Sequence, residues 1–165
     1  MPDIIGPRLV ALFCGINPGL YSGAVGHHFA RPGNRFWKAL YGAGFTDRLL
    51  TCWEERELLS FRLGITNLVD RATAAAAELS PAELRQGAST LAGKVRRYRP
   101  VFVAVVGISA YRLAFGRPKA APGPQPEPLG QARLWVLPQP SGLQAYYQLP
   151  ALVEAFRALR QSMEQ

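Results

Sequence analysis

The sequence predicts an α/β protein, a three-layer α/β/α sandwich around a central, mainly parallel four-stranded sheet. Three observations lead there. Four short apolar runs, at residues 8–15, 63–70, 101–107 and 133–138, have the length and composition of buried strands. Stretches with apolar residues at helical spacing lie between them and after the last, the order expected of a sheet with helices on both faces. No repeat and no dividing linker interrupts the 165 residues, so one domain is expected over 1–165.

The elements follow in order. RLVALFCG (8–15) is an apolar run that ends in glycine. After a loop rich in glycine, proline and asparagine, Asn34 is placed to cap a helix carrying Phe36, Trp37, Leu40 and Tyr41, stopped near Gly42 and Gly44. A second helical stretch, DRLLTCWEERELLS, is expected from Asp47, followed by the strand LGITNLVD (63–70). Ser80, Pro81 and Glu83 form a capping-box start for a helix that runs toward Tyr98 and stops at Pro100. VFVAVVG (101–107), rich in β-branched residues, is the strongest strand and leads into a short helix, SAYRLAF. Residues 116–131 hold five prolines and three glycines and read as an irregular surface loop. RLWVLP (133–138) is the last strand and LPALVEAFRALRQSM the last helix.

Composition narrows the partners. Hydrophobic residues make up 48% of the chain and charged residues 18%, which excludes a disordered segment. The formal charge is +8 and the sequence pI about 10.1, which favours a polyanion, nucleic acid before membrane. Cys14 and Cys52 show no metal or redox spacing and read as reduced small hydrophobes. Without a signal-like opening or an eighteen-residue apolar run, the expectation is a soluble, cytoplasmic protein with no membrane association.

In open α/β sheets, ligands collect beyond the carboxyl ends of the strands. Three such ends are unusual here: GINPGLYSG after the first strand, TNLVDR with Asn67 and Asp70 after the second, and PQPSGLQ after the fourth. Parallel strands bring all three to one rim. The first loop lacks the Lys-Ser/Thr ending of a P-loop, its glycines miss the dinucleotide fingerprint, and no G-x-S-x-G elbow occurs. Adjacent His27 and His28 lack further ligands at metal spacing, so no metal is expected. What the loop does offer is backbone amides, an asparagine and, downstream, Phe29, a set that suits a flat polar heterocycle. With a charge of +8, a nucleobase is the natural candidate. Asp70 is the one carboxylate in the three rim loops and a candidate general base, with an ion pair to Arg71 or another structural arginine as the alternative.

GINPGL (15–20), FARPGNRFWKALYGAGFTDRLL (29–50), GITNLVDR (64–71) and PSGL (140–143) occur in this order, and GINPG followed by NRFW is a specific signature. Through them the chain resembles the mismatch-specific uracil-DNA glycosylases, relatives of the thymine-DNA glycosylases, over most of its length. The resemblance implies the uracil-DNA glycosylase fold. It also implies monofunctional removal of uracil and related pyrimidines such as ethenocytosine from DNA, notably in G·U mismatches, in base excision repair and without metal or cofactor. It places the catalytic role on Asn17, whose amide orients a water, and leaves Asp70 as a second catalytic candidate. The flipped base would stack on Phe29, with the Ile16, Gly19 and Tyr21 loop reading its edge. Tyr21 and Ser22 would meet position 5 of the ring, and Asn67 would contact the base or a phosphate. Leu143, on the Ser141–Gly142–Leu143 loop, falls at the family's wedge, beside Gln144 in the groove.

Arg31, Arg35 and Lys38 flank the signature loop as candidate phosphate contacts; Lys94, Arg96, Arg97 and Arg99 cluster farther away on the third helix. Gln139 stands where the family commonly has asparagine, and no arginine follows the wedge until Arg157. These departures predict a weaker preference for the G·U mismatch and acceptance of single strands. No lysine lies in the signature loop, so no lyase step is expected. The partner is uracil-containing duplex DNA and the expected state a monomer. The alternatives are a catalytically inactive DNA-binding module of the same fold and a nucleoside-type hydrolase.

Overall fold

A computed structural model describes residues 1–142 and 148–164. Strands β1 (Ala11–Gly15), β2 (Leu63–Asn67), β3 (Phe102–Val106) and β5 (Arg133–Leu137) form a parallel sheet. A two-residue strand, β4 (Gly123–Pro124), pairs antiparallel with β5, giving the order β2-β1-β3-β5-β4. The sheet therefore has five strands where four were expected. The fifth lies inside the loop predicted to be irregular. Two residues, one of them proline, carry no periodicity, and proline is tolerated at a sheet edge.

Side chains alternate across the sheet and define the layers. From β1, Ala11 and Phe13 face one core, while Leu12 and Cys14 face the other. The first core is covered by helices α2 (Phe36–Gly42) and α5 (Leu149–Ser162) and by a 3-10 segment, Cys52–Phe61. The second is covered by α3 (Pro81–Tyr98) and α4 (Ile108–Phe115). This is the α/β/α sandwich. Phe13 anchors the first core, with its ring 5.5 Å from Phe36, 5.4 Å from Phe45 and 6.1 Å from Phe156. Burying such a side chain stabilises the fold by about 1.5–3 kcal/mol.

The start of α3 is as read: Ser80 Oγ accepts from the Glu83 N–H at 3.1 Å, Glu83 accepts from the Ser80 N–H at 3.1 Å, and Pro81 opens the helix. At α2, the Asn34 side chain accepts from the Phe36 N–H at 3.0 Å, although Arg35 is the boundary residue. Two helical expectations need correction. The stretch expected to be helical from Asp47 begins at Cys52, because Thr51 and Glu54 form the capping box that starts it. The glycine-rich opening loop contains a six-residue helix, α1 (Leu20–Val25), closed by Gly26 at φ 76°. Both free cysteines are buried, and burial pushes the Cys14 thiol far above its ordinary range. Among the described residues, no helix is long and apolar enough to cross a membrane.

Candidate active site

The chain runs from β1 outward to β2, then crosses back beside β1 to β3. The carboxyl ends of β1 and β3 therefore flank the point where the strand order reverses, the place where α/β sheets open a crevice. A cavity of about 300 Å³ lies there. Its lining comes from every parallel strand end: Gly15, Ile16 and Asn17 after β1, Asn67 on β2, Val106 on β3, and Gln139 to Ser141 after β5.

Asn17 is held in one orientation. Its Nδ2 donates to the Arg71 carbonyl and to Thr73 Oγ1, both at 2.8 Å, and Thr73 Oγ1 donates onward to the Ala75 carbonyl at 2.8 Å. The reversed amide would set Oδ1 against a carbonyl oxygen, two acceptors facing each other. Oδ1 is thus left without a partner among the described residues, in a side chain that lines the cavity. The backbone supports this placement. The Thr73 N–H bonds the Pro18 carbonyl at 3.1 Å, the Val69 N–H bonds Ile16 at 3.0 Å, and Arg71 is clamped by Glu83 through two contacts of 3.0 and 2.9 Å. The Arg71 guanidinium and the Ser80 N–H hold the Glu83 carboxyl down to about 2.

Phe29 forms one wall. Its ring stacks on Phe36 with centroids 4.0 Å apart and planes 18° apart, at a backbone φ of 51°. Few non-glycine residues adopt that conformation, and those that do cluster at functional sites. Ser22 is buried in the lining and accepts the Ala30 N–H at 3.0 Å, which leaves its hydroxyl hydrogen to donate.

Asn67 closes the inner end. Its Nδ2 lies 3.5 Å from His28 Nδ1, and His28 Nε2 lies 2.9 Å from the Pro2 carbonyl. A carbonyl only accepts, so Nε2 carries the proton and Nδ1 is the acceptor that faces Asn67. The His28 N–H bonds buried Glu55 at 2.9 Å, and Glu55 also contacts His27 Nδ1 at 2.6 Å. Both histidines are thus engaged by hydrogen bonds within the chain, and His28 lines the cavity. Among the described residues, no group of three or more His, Cys, Asp or Glu is placed to hold a metal. A Cβ on Gly15 would stand 2.7 Å from Asn67 Oδ1 and 3.4 Å from the Phe29 ring. Gly15 therefore keeps open the space that Asn67 and Phe29 face.

The other candidate residues fall in different places. Asp70 is exposed and does not line this cavity; it borders a neighbouring depression with Ala82, Gln86 and Lys94. The ion pair with Arg71 weighed above does not form, because Arg71 pairs with Glu83. Among the described residues, the cavity lining contains no carboxylate. Gly19 lines the cavity, whereas Tyr21 is exposed and outside the lining. Arg31 lies in the lining and Lys38 is exposed on α2. Arg35 is tied to the loop after β5, with Nη2 2.8 Å from the Ser141 carbonyl and its N–H 3.0 Å from Pro140 O. A Cβ on Gly142 would meet the Gly33 carbonyl at 2.7 Å, so the close approach seen there is to the chain's own backbone. Leu143 and Gln144 lie outside the described residues.

Thr73, His28, Pro2 and Asn34 take part in or line the site, and none was singled out for it from sequence. Their partners are distant in the chain; the one local signal was the Gly15 step out of β1. Residues 2–160 match the family model described as the uracil DNA glycosylase superfamily, nearly the whole chain. The chain belongs to the uracil DNA glycosylase superfamily.

Proposed function

We propose that this protein is a monofunctional glycosylase that takes uracil and related pyrimidines, such as ethenocytosine, out of DNA, notably from G·U mismatches. Its family already implies hydrolysis of the N-glycosidic bond of damaged bases in DNA. The observation that carries the finer reading is Asn17, oriented by Arg71 and Thr73 so that a lone acceptor, Oδ1, serves the cavity.

The chemistry follows from what lines the cavity. The target bond is hidden in the duplex, so the nucleotide is flipped out at a cost of a few kcal/mol. The base stacks on Phe29, with Asn67 and Ser22 at its polar edge. The C1′–N bond breaks with its electron pair going to the pyrimidine, and positive charge develops on the sugar. Hydrogen-bond donors and the Arg31 cation, both in the lining, favour the departing anion. Asn17 Oδ1 accepts a hydrogen bond from water and aims its oxygen at C1′. The water adds there and its proton leaves to solvent. An amide has no basic site near neutral pH, so Asn17 acts by positioning. No carboxylate in the described lining is available to replace it.

The test is single-turnover release of uracil, with chelator present, from G·U, A·U and single-stranded substrates of one sequence. Release from G·U is expected, with a modest preference over single strands, since Gln139 occupies the lining where relatives commonly carry asparagine. No release from any substrate would leave a DNA-binding module. Release from free uridine at a comparable rate would favour a nucleoside hydrolase.

A further inference from the structure

The rim opposite the cavity, at the amino ends of the strands, carries a row of arginines. Arg62 immediately precedes β2, Arg8 lies three residues before β1, Arg99 three before β3, and Arg133 is the first residue of β5. All four are exposed. The backbone ladder sets them side by side: the Val10 N–H bonds the Arg62 carbonyl at 2.7 Å, Val101 bonds Leu9 at 3.1 Å, and Arg133 bonds Val101 at 2.9 Å. Arg62 Nε also reaches the Arg8 carbonyl at 2.9 Å, and the Arg133 guanidinium lies over the Phe102 ring at 4.9 Å.

The row concentrates four cations along one edge of the sheet. Among the described residues none of the four contacts a carboxylate, a property they share with other exposed cations such as Arg56, Arg85, Arg96 and Arg97; what differs is that here four stand side by side. Three of the four occupy left-handed backbone, at φ 61° for Arg8, 59° for Arg62 and 53° for Arg99, the last two as the residues that close the Cys52–Phe61 segment and α3. Glycine or asparagine takes that conformation at lower cost. Among the described residues, the only other non-glycine there is Phe29. Helix closure accounts for that backbone at Arg62 and Arg99; what the fold adds is four exposed arginines on adjacent strand ends with no carboxylate beside them among the described residues.

We infer that this rim is a second binding surface for the phosphate backbone of duplex DNA, separate from the strand held at the cavity. Four neighbouring strands about 4.8 Å apart give a row about 14 Å long. A duplex presents one phosphate per ~1.7 Å of axis, so roughly eight lie along that length. The surface contacts phosphates without reading sequence, and it lets the protein hold one DNA segment while its cavity engages another. This does not rest on the chemistry assigned to the cavity.

The experiment compares wild type with a variant carrying Arg8→Gly, Arg62→Gly, Arg99→Gly and Arg133→Gln. Glycine suits the first three backbone conformations, so thermal unfolding should show the variant folded. Three readings are taken: affinity for a long undamaged duplex across a salt series, recruitment of a labelled second duplex to protein bound on an immobilised one, and uracil release from a short duplex. For the variant we expect the slope of log affinity against log salt to flatten by about 3.6, four contacts at ~0.9 each. Recruitment of the second duplex is lost and release from the short duplex stays within twofold. An unchanged slope with unchanged recruitment would overturn the inference. So would a parallel loss of release and binding, which would put the row in the cavity's own footprint. Equal wild-type affinity for anionic vesicles and for duplex would likewise overturn it. If wild type releases no uracil, the cavity reading fails, while the salt slope and recruitment still judge the rim.

Discussion

The loops after β1 and β2 each offer one residue suited to handling water, and the fold treats them differently. Asn17 lacks charge but is fixed by two 2.8 Å hydrogen bonds within a cavity. Asp70 has the stronger chemistry and makes no ion pair or side-chain hydrogen bond among the described residues, on an exposed edge outside that cavity. From residue type alone the carboxylate is the better base. The proposed mechanism rests on the amide, because catalysis depends on where an acceptor is held as well as on its basicity. The loop after β2 contributes through its backbone instead: the Arg71 carbonyl and Thr73 hydroxyl orient Asn17.

That contrast sets the predictions. Asn17→Ala should lower single-turnover release at least about a hundredfold, or ~2.7 kcal/mol of barrier. Gly15→Ala comes next: its methyl would meet Asn67 Oδ1, so we expect a loss of ten- to a hundredfold and about 1–3 kcal/mol of stability, read by denaturant unfolding. Thr73→Val removes the hydroxyl that accepts from Asn17 and leaves the shape of the segment, so about a tenfold loss in rate with little change in binding is expected.

The clamp behind Asn17 has its own pH signature. Glu83 titrates near 2, below the ordinary carboxylate value of about 4.3. A depressed carboxyl contributes stability that is fully present above about pH 4.3 and is lost as pH falls through about 2. Glu83→Gln should therefore flatten the acid limb of the unfolding curve in that window while leaving neutral activity within a few-fold. Asp70→Ala should have the smallest effect, within about twofold in rate.

Much of this site was legible because it lies at strand ends. Apolar runs located the parallel strands, and three unusual loops after them met on one rim, as parallel pairing requires. The Ser80–Pro81–Glu83 cap was local and complete in sequence. What escaped reading depends on contacts between distant segments. His28 meets Pro2 26 residues away, and Asn17 meets Thr73 56 residues away. Thr73 sits in an alanine-rich stretch with no pattern of its own. Helix α1 was hidden because Gly23 and the flanking glycines lower helix propensity. The two-residue β4 is too short to show a period.

The central claim is that an oriented amide, and not a nearby carboxylate, handles the water. Single-turnover uracil release from a G·U duplex, measured side by side for wild type, Asn17→Ala and Asp70→Ala, tests it most directly. The account predicts a collapse of about a hundredfold or more for Asn17→Ala and a near-normal rate for Asp70→Ala. A collapse of Asp70→Ala with Asn17→Ala surviving would contradict it.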